Sequence, residues 1–276
     1  MTLQKAYCPA SITLIFKVHP DGDPFKMGST GIGFTIDKGV IALVKKSKHT
    51  TIEFNGNKIN FPTVLWAINK LTNQSVSVKL DSPLPLGFGF GLSGASTLAS
   101  IHALNKLLKL NKTNRQLLQI AYQAEVTNKT GLGTVTTQNI GGFLFKTTPG
   151  LQPEFIRLPF INKKIYAVII SKIETPEILK SNTKIDAINA VFDKYLSTVT
   201  DFRSKTLEFF FDLGYSFANE AKLIRQAKTR RIIHELQKKG IPATITMLGN
   251  VVLTTVKPKL DIRYKILELK ISDTRI

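Results

Sequence analysis

The sequence has few of the residues that cross-link small folds or bind soft metals. Its 276 residues include one cysteine, Cys8, and four histidines. A single cysteine excludes a disulfide framework and a cysteine-rich zinc site. Apolar residues make up 43% of the chain, yet no uninterrupted apolar run is long enough to span a bilayer. Residues 1–7 lack a basic head and a long apolar run, so we expect a cytoplasmic protein without a signal peptide.

Acidic residues are also scarce. Lysine and arginine number 38 against 19 aspartates and glutamates, which gives a formal net charge of +19. A charge of this size is typical of nucleic-acid-binding proteins, but here it is spread along the chain. Residues 1–150 carry 16 basic and 6 acidic groups, and residues 151–276 carry 22 and 13. Basic clusters such as residues 45–48 are short and lack interleaved aromatics, so anionic small molecules are favoured as partners over nucleic acid.

The apolar pattern predicts a mixed fold. Strands are predicted at residues 11–18, 35–44, 50–54, 58–61, 75–80, 164–171, 243–248, 251–256 and 264–270, and a further strand after Gly142. Helices are predicted at residues 96–109, 114–126, 184–196, 202–213 and 218–239, and a long polar loop at 19–33. Because strands and helices do not alternate strictly, α+β is favoured over a doubly wound sheet. A turn at residues 148–150 predicts two domains, 1–150 and 151–276.

Residues 85–96, Pro-Leu-Gly-Phe-Gly-Phe-Gly-Leu-Ser-Gly-Ala-Ser, give the strongest functional signal. Four glycines and two serines lead into a helical pattern, as in loops that bind phosphate at a helix N-terminus. Free N–H groups and the helix dipole favour an anion there, and glycine lets the backbone approach it closely. The loop lacks the Gly-Lys-Ser/Thr of a Walker loop and the ribose-binding acid of a dinucleotide fold. A nucleoside triphosphate is the predicted ligand, and a purely structural glycine turn is the alternative.

Two side chains near this loop are candidate ligands for Mg²⁺. Ser93, near the first turn of the predicted helix, can offer its hydroxyl to Mg²⁺ or to a phosphate oxygen. It could instead cap the helix. Glu125 is the only acid between Asp81 and Glu154. Mg²⁺ usually takes one or two carboxylates together with phosphates, although a solvated helix glutamate is the commoner fate of such a residue.

The glycine loop resembles motif 2 of the GHMP kinases, Pro-x-x-x-Gly-Leu-Gly-Ser-Ser-Ala-Ala. Within that superfamily the chain is similar to the archaeal pantoate kinase family, over nearly its whole length. The residues of motif 2 that match are Pro85, Gly89, Gly91, Ser93 and Ala95. The other matching stretches are Ile12-Thr13 with Phe16, His19-Pro20 with Asp23-Pro24, Gly28-Ser29-x-Gly31-x-Gly33, residues 124–126 with 130–133, residues 173–175 with 178–179, and residues 247–250.

The resemblance implies an ATP-dependent kinase that converts (R)-pantoate to 4-phosphopantoate for coenzyme A biosynthesis. It implies the GHMP kinase fold, with an N-terminal domain like ribosomal S5 domain 2 and a ferredoxin-like C-terminal domain, in a homodimer. ATP and Mg²⁺ would be the cofactors, with Ser93 and Glu125 holding Mg-ATP. The residues implied to bind ATP are Pro85, Gly87, Gly89, Gly91, Leu92, Ser93, Gly94 and Ala95. Those implied at the pantoate end are His19, Gly28, Ser29 and Gly31.

Three positions depart from the family pattern. Thr134 stands where the family has an aspartate, the expected base for the acceptor hydroxyl, and base help is typically worth about 10²–10⁴ in rate. Lys146 stands where relatives usually have arginine; it keeps the charge but loses bidentate geometry, and together with His19 it would steer the pantoate carboxylate or the moving charge. Ala10-Ser11 replaces Gly-His. These departures leave two alternatives open, a GHMP-type kinase for another hydroxy acid or alcohol and a non-catalytic nucleotide- or metabolite-binding protein.

Overall fold

The computed structural model describes residues 2–23, 25–171, 182–199, 201–260 and 264–276. Pro24 and residues 173–179 of the resemblance lie outside these ranges. The strands are β1 (Leu3–His19), β2 (Gly28–Lys46), β3 (Thr51–Phe54), β4 (Asn57–Lys58), β5 (Val76–Asp81), β6 (Phe143–Lys146), β7 (Phe155–Leu158), β8 (Lys164–Ser171), β9 (Ala243–Ile245), β10 (Asn250–Thr254) and β11 (Lys265–Ser272). The helices are α1 (Pro62–Leu71), α2 (Leu92–Leu108), α3 (Asn114–Thr127), α4 (Thr134–Ile140), α5 (Asn182–Leu196), α6 (Leu207–Glu220) and α7 (Ala227–Lys238).

One 11-stranded sheet runs through the described part of the chain. Its main path is β4-β3-β5-β2-β11-β8-β10-β9, with β1 and β6 also paired to β2, and β7 paired to β6. β11 bridges the two ends of the sheet, since it pairs along its length with β8 and through Ile271 and Ser272 with β2. The sheet is continuous across the turn at residues 148–150, and the two domains remain a prediction.

Helices cover the sheet and enclose the core. α2 packs on β1 and β2, with α1 and α3 against it, while α5 and α6 lie against β1 and α7 against β10. Small residues on α2 such as Ala95 and Ala99, both fully buried, let this helix approach the sheet closely. Phe143 of β6 meets Phe210 of α6 with ring centroids 5.4 Å apart, so aromatic packing links the two halves. Within the described ranges, no helix has the length and apolarity that crossing a membrane requires.

The α+β class is confirmed, and several predicted elements differ in extent from the observed ones, among them the strand predicted at 58–61, of which only Lys58 belongs to a strand. Residues 28–33, predicted as part of a polar loop, begin β2, where they pair with β1 on one edge and in part with β6 on the other. Their small polar residues resemble a turn, but two neighbouring strands satisfy their hydrogen bonds. The helix predicted at 218–239 is two helices, because α6 ends at Glu220 and Lys222 takes a left-handed φ of 56°.

Some elements were not predicted at all, namely α1, α4 and β7. The helix predicted at 202–213 begins later, at Leu207, where Thr206 accepts a hydrogen bond from the Phe209 N–H as its cap. α4 is the instructive omission, because its sequence Thr-Val-Thr-Thr-Gln-Asn-Ile is rich in β-branched residues with low helix propensity. Tertiary contacts described below hold it as a helix.

Candidate active site

A cavity of about 440 Å³ lies between the glycine loop, the first turns of α1 and α4, and residues 247–248. This volume falls within the range of about 300–1,000 Å³ typical of small-molecule sites. The lining residues from the glycine loop and the start of α2 are Leu86, Gly87, Gly89, Phe90, Gly91, Leu92 and Ser93. Those from the start of α1 are Asn60, Phe61, Pro62 and Thr63. The cavity therefore combines a backbone-rich wall with an apolar end.

The carbonyl groups of the glycine loop are held from outside the loop. The Ser11 N–H donates to Phe90 O over 3.1 Å, and Gln138 Nε2 donates to Gly91 O over 2.8 Å. In a trans peptide the C=O and N–H of one plane point in opposite directions, so the N–H groups of Gly91 and Leu92 point away from Ser11 N and Gln138 Nε2. The first N–H groups of α2 also lack intrahelical acceptors. The wall is thus a cradle of donors suited to an anion.

The predicted ATP-binding residues divide into two groups in the structure. Gly87, Gly89, Gly91, Leu92 and Ser93 line the cavity, and Pro85, Gly94 and Ala95 do not. The Ala95 N–H donates to Gly91 O over 3.1 Å, and its side chain is fully buried. Gly94 lies against Gln138 and Glu125. The cradle is therefore formed by residues 87–93, and the next two residues pack behind it.

Ser93, the predicted magnesium or phosphate ligand, is one of the residues that line the cavity. Its hydroxyl lines the cavity and is 3.5 Å from Thr63 Oγ1. The N-cap of α2 is Gly91, and no side chain caps this helix. Ser93 is therefore not a helix cap, and its hydroxyl is available to a ligand in the cavity.

Glu125 is buried, with 1% of its surface exposed, so it is not a solvated helix glutamate. Its Oε2 accepts a hydrogen bond from the Val135 N–H over 3.3 Å, and the N–H groups of Gly133 and Thr134 also stabilise the carboxylate. Burial raises the pKa of Glu125 to about 7, and these N–H groups and Lys146 oppose the rise. The carboxylate thereby caps α4, which accounts for a helix that propensity alone does not favour.

The Glu125 carboxylate lies directly behind the cavity wall at Gly131. A Cβ at Gly131 would stand 2.4 Å from Oε1, so a larger residue would displace the carboxylate. Of the two predicted Mg²⁺ ligands, Ser93 lines the cavity, whereas Glu125 is not part of the lining. Among the described residues, no group of three or more His, Cys, Asp or Glu could hold a metal ion.

A small recess of about 30 Å³ adjoins the cavity between β1, β2 and α4. Ser11, Thr13, Phe16, Ser29 and Thr134 line both spaces. Among the described residues that line either space, Lys146 is the only charged one. Its Nζ donates to Gly133 O over 3.0 Å and to Thr136 Oγ1 over 3.3 Å. Burial lowers the pKa of Lys146 to about 8, while Glu125 raises it.

The residues predicted at the pantoate end are also divided. Ser29 lines the cavity and the recess, where its hydroxyl donates to Leu132 O over 2.7 Å, and Gly31 lines the recess. His19 and Gly28 lie outside both linings, at the open end of the β1–β2 pair. His19 Nε2 is 3.0 Å from Thr30 Oγ1, and partial burial, with Lys17 nearby, lowers the His19 pKa.

Sequence reasoning missed three contributors to the site: the first turn of α1, Gln138 and Thr246. The first turn of α1 carried one signal, because a proline after Phe61 is typical of a helix start. Gln138 and Thr246 gave no signal, since their roles depend on which loop carbonyl each side chain reaches.

Comparisons with known proteins show what the sequence and the fold resemble. The family model described as "GHMP kinases N terminal domain" matches residues 60–142. The pantoate kinase of Methanocaldococcus jannaschii is 33% identical over 250 residues, covering 88% of this chain and 89% of that protein. The pantoate kinase of Methanospirillum hungatei is 30% identical over 257 residues, covering 90% and 86%. A solved structure titled "Phosphotransferase related to CoA biosynthesis pathway" superposes with a TM-score of 0.85 at 24% identity, covering 99% of this chain and 97% of that one.

Proposed function

Because the chain belongs to the pantoate kinase family of the GHMP kinases, we propose that it transfers the γ-phosphoryl group of ATP to the primary hydroxyl of (R)-pantoate. The product is 4-phosphopantoate, a precursor in coenzyme A biosynthesis. The observation that carries the proposal is that the cavity at the glycine loop adjoins the recess, with which it shares lining residues. Among the described residues that line the recess, Lys146 is the only charged one. This arrangement suits a polyphosphate beside a small anionic acceptor.

The nucleotide is assigned to the larger space. The triphosphate is assigned to the cavity wall formed by residues 87–93, beside the N–H groups at the start of α2 that lack intrahelical acceptors. The apolar end formed by Phe61, Pro62 and Leu86 is suited to a nucleobase, because flat aromatic surfaces bury well against such side chains. Ser93 and Glu125 are proposed to hold Mg²⁺, which neutralises charge on the β- and γ-phosphate oxygens when bound.

The acceptor is assigned to the recess and the adjoining floor of the cavity. Lys146 attracts the acceptor carboxylate, and the hydroxyls of Ser29 and Thr134 line the path between the two spaces. No carboxylate lines the described part of either space, so the acceptor hydroxyl has no carboxylate base in contact with it. Catalysis then rests on positioning and electrostatics, which dominate phosphoryl transfer in general.

Purified protein with Mg-ATP and (R)-pantoate tests the proposal directly. We expect pantoate-dependent release of ADP and equimolar 4-phosphopantoate, measured by mass spectrometry. ADP release with a different hydroxy acid or alcohol, and none with pantoate, would establish the alternative GHMP kinase. Nucleotide binding without turnover on any acceptor would establish a non-catalytic protein. The replacement of the expected catalytic aspartate by Thr134 is the reason to test for this outcome.

The pH dependence of acceptor affinity tests the role of Lys146. An amine binds a carboxylate only when protonated, and burial lowers the Lys146 pKa to about 8. The charged form therefore prevails below about pH 8, and the KM for pantoate is expected to rise by about tenfold per pH unit above it. Lys146→Arg stays protonated and should remove this rise, while Lys146→Met should have a high KM at every pH. A flat KM in the wild-type protein from pH 7 to 9.5 would contradict the assignment.

We also propose that the protein is a homodimer and has an archaeal source, both on the family resemblance alone. A cytoplasmic location is proposed from the sequence pattern described above.

A further inference from the structure

A turn from the second half of the chain is pressed against the glycine loop. Residues 246–249 form this turn, closed by a hydrogen bond from the Gly249 N–H to Thr246 O over 3.0 Å. Leu248 takes a left-handed φ of 63°, which is unusual for a leucine and indicates a turn held by its surroundings. Met247 and Leu248 line the cavity. The turn is therefore part of the site and not only a connection between β9 and β10.

Thr246 makes the direct link between the turn and the loop. Its side chain is fully buried, and Oγ1 donates to Phe88 O over 2.9 Å. The C=O of Phe88 and the N–H of Gly89 belong to one peptide plane and point in opposite directions. Gly89 lines the cavity, so the hydroxyl that holds the Phe88 carbonyl also fixes the direction of the Gly89 N–H at the cavity wall. A Cβ at Gly89 would stand 2.6 Å from Thr246 Oγ1, so the approach requires glycine there.

The bond from Thr246 differs in origin from the others that hold the loop. Ser11 and Gln138, which hold the Phe90 and Gly91 carbonyls, both come from the first half of the chain. Thr246 comes from the second half, 158 residues beyond its partner. Among the described hydrogen bonds to carbonyls of the glycine loop, the bond from Thr246 is the one that comes from the second half of the chain. Through it, the second half can set the geometry of the phosphate cradle.

We propose that Thr246 is a positioning residue for the nucleotide: its hydroxyl orients the Phe88–Gly89 peptide so that the Gly89 N–H binds a phosphate oxygen. The inference rests on the proposed function only in placing the triphosphate at the glycine loop. A hydrogen bond between an N–H and a phosphate is charge-assisted, and losing one typically weakens binding by about tenfold or more.

The chain offers a matched control two residues away. Thr244 is also fully buried, but its Oγ1 has no hydrogen-bond partner among the described residues. Thr244→Val and Thr246→Val therefore make the same chemical change, and only the second removes a bond to the glycine loop. Thr246→Ser keeps a hydroxyl and serves as the conservative rescue.

The test measures the Kd of Mg-ATP by calorimetric titration without pantoate, at a temperature well below the melting midpoint of each variant. We expect Thr246→Val to raise this Kd about tenfold, Thr246→Ser to stay within about twofold, and Thr244→Val to match the wild type. Wild-type affinity in Thr246→Val, or equal weakening in Thr246→Ser and Thr246→Val, would overturn the proposal. Wild-type protein that binds Mg-ATP but does not phosphorylate pantoate would refute the proposed function and leave this test intact.

Discussion

Thr134→Asp is expected to raise kcat for pantoate phosphorylation by about 100-fold. Phosphoryl transfer to an alcohol releases a proton, and threonine cannot take it up at neutral pH. An aspartate at this position would supply the base that the family pattern has there. The size of the gain follows from general-base catalysis, which typically contributes about 10²–10⁴ in rate.

The structure gives the new carboxylate a suitable place. Thr134 is the first residue of α4, where an acidic side chain is favoured by the helix dipole. It lines both the cavity and the recess, so an aspartate there would face the point where donor and acceptor meet. Lys146 lines the same recess and would provide a countercharge.

Thr134→Asn is the matched control, because it has nearly the shape of aspartate without a basic oxygen. Steady-state kinetics from pH 5 to 9 should show a new acidic limb in kcat for Thr134→Asp and none for Thr134→Asn. Equal rates for the two variants would mean that shape, not proton transfer, limits the reaction. No gain in either would show that this site was rebuilt around threonine.

Glu125→Gln is expected to lower kcat/KM by about 10²–10³ without unfolding the protein. Glutamine keeps the size of the side chain and an oxygen that can accept the Val135 N–H. It removes the negative charge that is proposed to hold Mg²⁺ beside the phosphates. This variant should therefore lose activity while it keeps its fold.

The melting midpoint of Glu125→Gln is the control that distinguishes a loss of activity from a loss of folded protein. Burial raises the Glu125 pKa from 4.5 to about 7, so the unfolded chain loses this proton at lower pH than the folded protein does. Stability from this group is greatest below about pH 4.5 and declines as pH rises toward 7. Glutamine has no such decline, and at pH 8 without Mg²⁺ the variant should melt no lower than the wild type. Activity within threefold of wild type, or a loss that tracks unfolding, would contradict a role for Glu125 as magnesium ligand.

Much of the fold was predictable because its strongest elements carry local signals. β8 was predicted at its observed bounds from an apolar, β-branched run, and α3 was predicted within one residue from its pattern and its Thr113 cap. The errors occur where distant contacts override local preference. The segment at residues 28–33 forms a strand because β1 and β6 lie on its two sides, and α4 forms a helix because Glu125 caps it.

The site residues divide in the same way, into those that carry a local sequence signal and those whose place depends on distant contacts. The glycine loop and Ser93 were identified from residue type and spacing, and Ser29 from the family resemblance; all three contribute to the cavity. The place of Glu125 behind Gly131 could not be predicted, since the two meet only when α3 and the loop before α4 fold against each other. The role of the Thr246 hydroxyl could not be predicted either, because its hydrogen-bond partner lies 158 residues earlier in the chain.

The bridging position of β11 has a consequence for how this protein is made. During synthesis the ribosome releases β1 to β10 before β11, so the nascent chain holds β2 and β8 without the strand that joins them. Thr35 and Ser272, which share a hydrogen bond, are 237 residues apart, and closing so large a loop is slow. Until then one edge of β8 and residues 35–36 of β2 lack the strand that pairs with them, and an unpaired strand edge can add to another chain.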